Sequence, residues 1–323
     1  MSSNRRPVPR RSTPSPHLPA SSLTRVSVAA SVSDAAAGPY AIAAGPDGAL
    51  WFTLVHAGRI GRLTPDGRLD QYALDAPDCG PSLIAPGPDG ALWFTRARDH
   101  RIGRITVTGE ATSFAVPTPD SGPFGIAAAS DGALWFTQMH SDRIGRLTPD
   151  DGRVTEFPLP VTGAFPSMLV AGPDEALWFT LHQANAIGRI GLDGAITLHP
   201  LPTEAAGPVG ITCGTDGALW FVEIGAGQIG RITTDGRIEE FPLPDRAARP
   251  HAITAGPAGG CWFTEWAAGR IGHITPDGRI REYDLPDRRA EPHGLAFGPD
   301  GALYVALETG QIARIEPRHT PAV

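Results

Sequence analysis

The sequence predicts an all-β fold: a seven-bladed β-propeller with four-stranded antiparallel blades, closed by an N-terminal strand in blade 7. Three observations predict it. An aromatic triplet, Trp51-Phe52-Thr53, returns at Trp93, Trp135, Trp178, Trp220 and Trp262, then degenerates to Tyr304-Val305-Ala306; the spacings are 42, 42, 43, 42, 42 and 42 residues. Each period holds short apolar runs between Gly/Pro/Asp turns, the pattern of a propeller blade. The 39 glycines and 33 prolines recur too often for helical solenoid units, which they would break.

Blade 6 illustrates the elements in order. Residues 250–255 form an inner strand, and Gly256-Pro257-Ala258-Gly259 a tight turn. Residues 260–265 and 270–275 are the second and third strands. Asp277-Gly278 is a hairpin turn that needs positive φ, and residues 279–285 make the outer strand, ended by Pro286. Seven such units open at Gly38, Gly80, Gly122, Phe165, Gly207, Arg249 and Glu291. The seventh stops after its third strand, at Ile315, whereas residues 23–28 read as an outer strand without a blade. Docked on blade 7, that segment closes the ring and removes exposed sheet edges. The recurring Ile-Gly-Arg, first at Ile60, is expected to pack blade on blade.

At 323 residues and 41% hydrophobic content the chain has enough apolar material for a large core. No apolar run approaches the roughly 20 residues of a membrane span. Cys79, Cys213 and Cys261 are an odd count without C-x-x-C spacing, which argues against a disulfide framework or a zinc site and for a reducing cytoplasm. Residues 1–34 carry five arginines against Asp34, a net +4, so the rest of the chain carries −11 of the total −7. Residues 1–22, basic and Ser/Pro-rich with no apolar core, read as a disordered tail, and residues 23–323 as one propeller domain. An acidic body argues against nucleic acid as a partner; no membrane partner is implied, and a monomer is expected.

In a repeat protein a site should show as local departure from the repeat. The residue after each unit-opening proline starts an inner strand at one mouth of the central channel. Around the ring it is Tyr40, Ser82, Phe124, Ser167, Val209, His251 and His293, so adjacent blades 6 and 7 each bring a histidine. The residue before the proline is glycine in four blades but Phe165, Arg249 and Glu291 in the others. Counting from the turn at Gly298-Pro299-Asp300-Gly301 sets Phe297 opposite Ala302, His293 opposite Ala306, and Glu291 opposite Glu308. Glu291 and His293 then share a face. Opposed carboxylates repel unless a cation relieves them, and two oxygen donors with water suit Mg²⁺ or Mn²⁺. The competing reading is a solvated polar rim.

The same count sets Arg249 opposite Trp266, where a cation–π pair is expected. His182 holds in blade 4 the slot Glu308 holds in blade 7, a place on a ligand cleft wall. His273 is expected to pack, His56, His100 and His140 to lie in surface loops, and Glu223 and Glu265 to be structural. No nucleophile elbow, P-loop or dinucleotide fingerprint is present.

Gly-Pro-Tyr at 38–40, Arg-Pro-His-Ala-Ile-Thr-Ala-Gly at 249–256, Trp-Phe-Thr-Glu-Trp at 262–266 and Glu-Pro-His-Gly at 291–294 closely resemble the virginiamycin B (streptogramin B) lyase family of seven-bladed propellers. The resemblance covers residues 23–315. It implies a magnesium-dependent carbon–oxygen lyase that opens cyclic depsipeptide antibiotics at the ester between threonine and phenylglycine, by elimination, and so confers resistance. His293 is then the general base, Glu291 and Glu308 the Mg²⁺ ligands, and His251 and Tyr40 substrate-contacting residues. The glutamate that follows Trp-Phe-Thr in the family is Arg96, Gln138 and Leu181 in blades 2 to 4 here, a change that reshapes the cleft walls. The alternatives are a metal-dependent lactone hydrolase and a non-catalytic ligand-binding propeller.

Overall fold

The computed structural model describes residues 24–317; the basic tail predicted at 1–22 lies outside them. Seven four-stranded antiparallel sheets follow one another around a ring, as the repeat predicts. Blade 1 is Pro39–Ala44, Leu50–Leu54, Arg59–Leu63 and Leu69–Ala73. Blade 6 is Pro250–Ala255, Cys261–Glu265, Arg270–Ile274 and Ile280–Asp284, within a residue of the expected bounds. Blade 7 runs Pro292–Phe297, Leu303–Leu307 and Gln311–Pro317, and its fourth strand is the N-terminal segment Thr24–Ser31, antiparallel to Gln311–Pro317. That closing strand runs three residues past the expected end at 28, through a bulge between Val28 and Ala30.

The repeated residues each carry a physical task. Trp51 and its equivalents in blades 2 to 5 are buried and donate their indole N–H to the turn aspartate four residues earlier, as Trp51 Nε1 does to Asp47 at 3.0 Å. That aspartate also accepts from the third-strand arginine, Arg62 Nε at 2.8 Å, and the guanidinium lies 5.6 Å from the Trp51 ring centroid. The glycine of Ile-Gly-Arg is required because the Phe ring of the second strand covers it; a Cβ on Gly61 would sit 2.2 Å from Phe52. The isoleucine packs blade on blade, as Ile60 does with Leu92 and Phe94 of blade 2. The expectation for Ile-Gly-Arg therefore holds for its first residue, while the arginine works within its own blade. In blade 6 the aspartate is Ala258, and His273 replaces the arginine and packs on Trp262, centroids 4.7 Å apart.

Every inner strand carries a β-bulge just inside the mouth, and this changes the predicted register. In blade 7 Phe297 pairs with Leu303, not Ala302. His293 and Gly294 together face Ala306, because Pro292 pairs with Leu307 and Leu295 with Val305. The extra residue restores the count at the mouth, where Glu308 N–H donates to the Glu291 carbonyl at 3.1 Å. A bulge re-aims side chains, and Tyr40, His251 and His293 are the first bulged residues of their strands.

Candidate active site

The mouth of the channel gathers rings from four blades. The Tyr40 ring centroid lies 4.6 Å from His293 and 5.8 Å from His251, and the two imidazoles are 4.7 Å apart and nearly perpendicular. Phe124 and Trp266 flank them, at 6.3 Å from Tyr40 and 6.4 Å from His293. The Tyr40 hydroxyl is 3.4 Å from His251 Nε2.

His293 is 6% exposed, and its Nε2 lies 2.5 Å from Glu308 Oε2. The other carboxylate oxygen, Oε1, is 2.8 Å from His56 Nε2. The hydrogen bond from His293, with a second from His56, holds Glu308 down at about 2, so it is ionised and accepts from both rings. With Nε2 turned to Glu308, the other ring nitrogen of His293, Nδ1, is buried with no hydrogen-bond partner among the described residues. Burial, reinforced by His293, pushes His251 down to about 3, so that imidazole is neutral. Burial and the Glu308 charge push Tyr40 well above the usual phenol range, so it keeps its proton.

His56 lies in an exposed turn after the second strand, as expected, and from there it also reaches the Glu308 carboxylate of the site. It follows the rim position of blade 1, and ring closure sets blade 1 beside blade 7. Arg98 of blade 2 approaches its other nitrogen, Nη2 to Nδ1 3.5 Å. The sequence signal was the closure itself, which makes the first and last blades neighbours.

Arg249 and Trp266 meet through the backbone, Trp266 N–H to Arg249 carbonyl at 3.1 Å. The expected cation–π pair is not among the guanidinium–ring contacts of the described residues. Arg249 has a left-handed backbone, φ 52°, and an exposed side chain, which takes it out of the strand face on which the pairing was counted. Glu291 is in the same state, with φ 49° and an exposed carboxylate, while His293 is buried, so the shared face expected for these two is lost. His182 sits on the mouth in blade 4, its ring 6.0 Å from Phe165.

The strands of Tyr40, His251 and His293 lack a hydrogen bond that the mouth strands of blades 2 to 5 receive. In blades 1 to 4 the threonine of Trp-Phe-Thr accepts from the bulge N–H of its own blade and donates to the mouth carbonyl of the next, whereas Thr264 of blade 6, among the described residues, only accepts. Thr53 Oγ1 accepts from Ala41 N at 3.0 Å and donates to the Ser82 carbonyl at 2.8 Å. Thr95, Thr137 and Thr180 hold the carbonyls of Phe124, Ser167 and Val209 in the same way. Blades 5 and 7 have Val222 and Ala306 in place of the threonine. Among the described residues, no threonine holds the carbonyl of Tyr40, His251 or His293.

The two glutamates expected as metal ligands meet through the backbone at the mouth, Glu308 N–H to the Glu291 carbonyl. Glu308 is half-buried, and Glu291 is exposed with no hydrogen-bond or ion-pair partner among the described residues. No group of three or more His, Cys, Asp or Glu among the described residues has metal-holding geometry. A pair of oxygen donors beside water is nevertheless a donor set that Mg²⁺ accepts, since it keeps several waters and takes only one or two carboxylates.

Fold and site together define a seven-bladed propeller bearing a histidine–carboxylate centre at one mouth of its channel. The model of the virginiamycin B lyase family matches residues 26–315, and the chain belongs to that family. The virginiamycin B lyase of Saccharopolyspora erythraea is 64% identical over 45 residues, 14% of this chain and 15% of that protein. That of Streptomyces coelicolor is 74% identical over 35 residues, 11% and 12%. These matched segments span no more than 15% of the relatives' length. Solved structures match over nearly their whole length. A streptogramin B lyase is 44% identical, covering 92% of this chain and 98% of its own, with a TM-score of 0.88. A catalytically inactive histidine-to-alanine variant of the Staphylococcus aureus virginiamycin B lyase, with quinupristin, is 43% identical over 90% and 99%, TM-score 0.87.

Proposed function

We propose that the protein is a magnesium-dependent carbon–oxygen lyase that linearises type B streptogramins by elimination at the threonyl ester. The observation that carries this reading is the buried His293–Glu308 pair, facing Tyr40 and His251 at the channel mouth in a chain of this family.

His293 is the base. It takes the proton on the threonyl α-carbon, which the neighbouring carbonyl acidifies, and Glu308 stabilises the imidazolium that results. The freed electron pair becomes the Cα–Cβ double bond as the Cβ–O bond breaks. The ester oxygen leaves in a carboxylate, no water is consumed, and the threonyl residue becomes dehydrobutyrine. His251 and Tyr40, both neutral, contact the substrate beside the base. Glu291 and Glu308 would hold Mg²⁺, which as a Lewis acid stabilises developing negative charge. A catalytically inactive histidine-to-alanine variant in a relative supports a histidine-centred mechanism. The three unpaired cysteines support a reducing compartment, and the enzyme is proposed to act as a cytoplasmic monomer.

The test is mass spectrometry of a streptogramin B treated with purified protein and magnesium. Elimination leaves a linear product isobaric with the substrate, and a chelator stops it. A product heavier by one water is the signature of the lactone-hydrolase alternative. No product with any ester, with ligand affinity unchanged by chelation, is that of a binding-only propeller.

A further inference from the structure

Seven residues precede the inner-strand prolines, and all have left-handed backbone: Gly38, Gly80, Gly122, Phe165, Gly207, Arg249 and Glu291, with φ between 49° and 66°. Glycine takes this conformation without a steric clash, whereas any residue with a Cβ is strained there. Four blades show that the scaffold needs only glycine. Blades 4, 6 and 7 hold a larger side chain against that strain, and such outliers point to function. Glu291 has a proposed role in the site. Phe165 shows where a side chain at this position goes: its ring lies 6.1 Å from His140 of blade 3 and 6.0 Å from His182 of its own blade, across the joint between blades.

Arg249 starts from the same backbone at the next such position before Glu291. Its side chain is exposed, and among the described residues no carboxylate pairs with it. Its carbonyl is bonded to Trp266, whose ring flanks His293. Two buried nitrogens of the same mouth, Trp266 Nε1 and His251 Nδ1, also lack hydrogen-bond partners among the described residues. An exposed guanidinium with no carboxylate partner among the described residues thus projects from strained backbone at the rim of that mouth, and its planar fork matches a carboxylate.

We propose that Arg249 is a carboxylate subsite that receives the acid released when the ester opens. This rests on the elimination reading, in which the leaving oxygen keeps the bonding electron pair and departs as a carboxylate. Arg249 is a binding residue here; the proton goes to His293.

The test compares wild type with Arg249→Gly, which installs the residue four blades already carry. N-acetylphenylglycine and its carboxamide are titrated calorimetrically in the presence of chelator, so that a metal cannot supply the preference. The wild type should bind the acid over the amide by about tenfold or more, the size of one charge-assisted contact. Arg249→Gly should lose that preference, melt no lower than wild type, and turn over streptogramin B with kcat/KM reduced about tenfold. Equal binding of acid and amide by the wild type, no binding of the acid, or a preference retained in Arg249→Gly overturns the subsite. An acid preference in a wild type that opens no streptogramin ring sustains the subsite and overturns the elimination reading instead.

Discussion

Glu265 offers a test that separates scaffold from site. Its carboxyl is fully buried in blade 6, and neither oxygen has a hydrogen-bond donor among the described residues. Burial, and then the Glu282 carboxylate beside it, push it up to about 9. Arg270 Nη1 stands 3.7 Å from both glutamates and only partly offsets the repulsion. A buried carboxyl so displaced is an ordinary candidate for catalysis, but blade 3 points to a structural role. There Gln138 occupies the equivalent position and donates Nε2–H to Glu156 at 2.9 Å, and Glu156 matches Glu282.

Glu265→Gln would reproduce that amide–carboxylate pair. The unfolded chain releases the Glu265 proton near 4.5, so at pH 7 the folded state holds it against about 2.5 pH units, a cost of roughly 3 kcal/mol at 1.36 kcal/mol per unit. The sign follows: below pH 4.5 both states are protonated and nothing is lost. Between 4.5 and about 9 the unfolded state binds fewer protons, so wild-type stability falls as pH rises. Glu265→Gln should therefore match wild type near pH 4.5 and exceed it by about 1–3 kcal/mol at pH 7 to 8. Urea denaturation at several pH values reads the difference, with turnover of a streptogramin B unchanged throughout. Equal midpoints at pH 5 and pH 8, or a variant less stable at pH 8, would refute the argument from a buried, protonated Glu265; lost turnover would make Glu265 part of the site.

Three further outcomes address the site. His293→Ala should lower kcat by about 10³-fold, within the range for losing a general base, with substrate affinity retained by calorimetry; unchanged turnover removes His293 from the base role. Glu308→Gln removes the anion between His56 and His293, and should raise the magnesium concentration for half-maximal activity by about 10–100-fold; a normal magnesium titration places the metal elsewhere. Gly294→Ala puts a Cβ 2.8 Å from the Tyr40 carbonyl and the Ala41 Cα, and should cost about 1–3 kcal/mol of stability. The same push on the Tyr40 strand should lower kcat by about 10²-fold, the penalty of a misplaced site, seen in steady-state kinetics well below the melting temperature.

The blade count, the strands and the closure were legible because the period is strict and each repeated residue answers a local need: Asp47 for Trp51 and Arg62, Gly61 for the Phe52 ring. The register inside blade 7 was not legible, because a bulge leaves no residue-type signature and adds one position to a count that assumes uniform pairing. The turn count was one residue short, and the bulge at His293 and Gly294 made it up, so Glu291 and Glu308 still meet at the mouth. Arg249 illustrates the opposite failure. Its pairing partner was right, yet a left-handed φ turned the side chain away from the expected ring. His56 was missed because its partner lies 252 positions along the chain, a contact that no local pattern announces.

The threonine clasp joins these observations. In blades 1 to 4 the Trp-Phe-Thr hydroxyl couples each second strand to the next blade's mouth, as Thr137 does to Ser167 at 2.5 Å. The repeat surrenders that clasp at Val222 and Ala306, and these are the blades that precede His251 and Tyr40 around the ring. The inner strands that bring Tyr40, His251 and His293 together are therefore placed by backbone packing, in which Gly210 and Gly294 let the carbonyls of His251 and Tyr40 come close. Glycine contact alone does not mark the site, since Gly125 meets the Ser167 carbonyl that Thr137 also holds; what sets the strands of Tyr40 and His251 apart is the hydroxyl replaced by Ala306 and Val222 in the preceding blades.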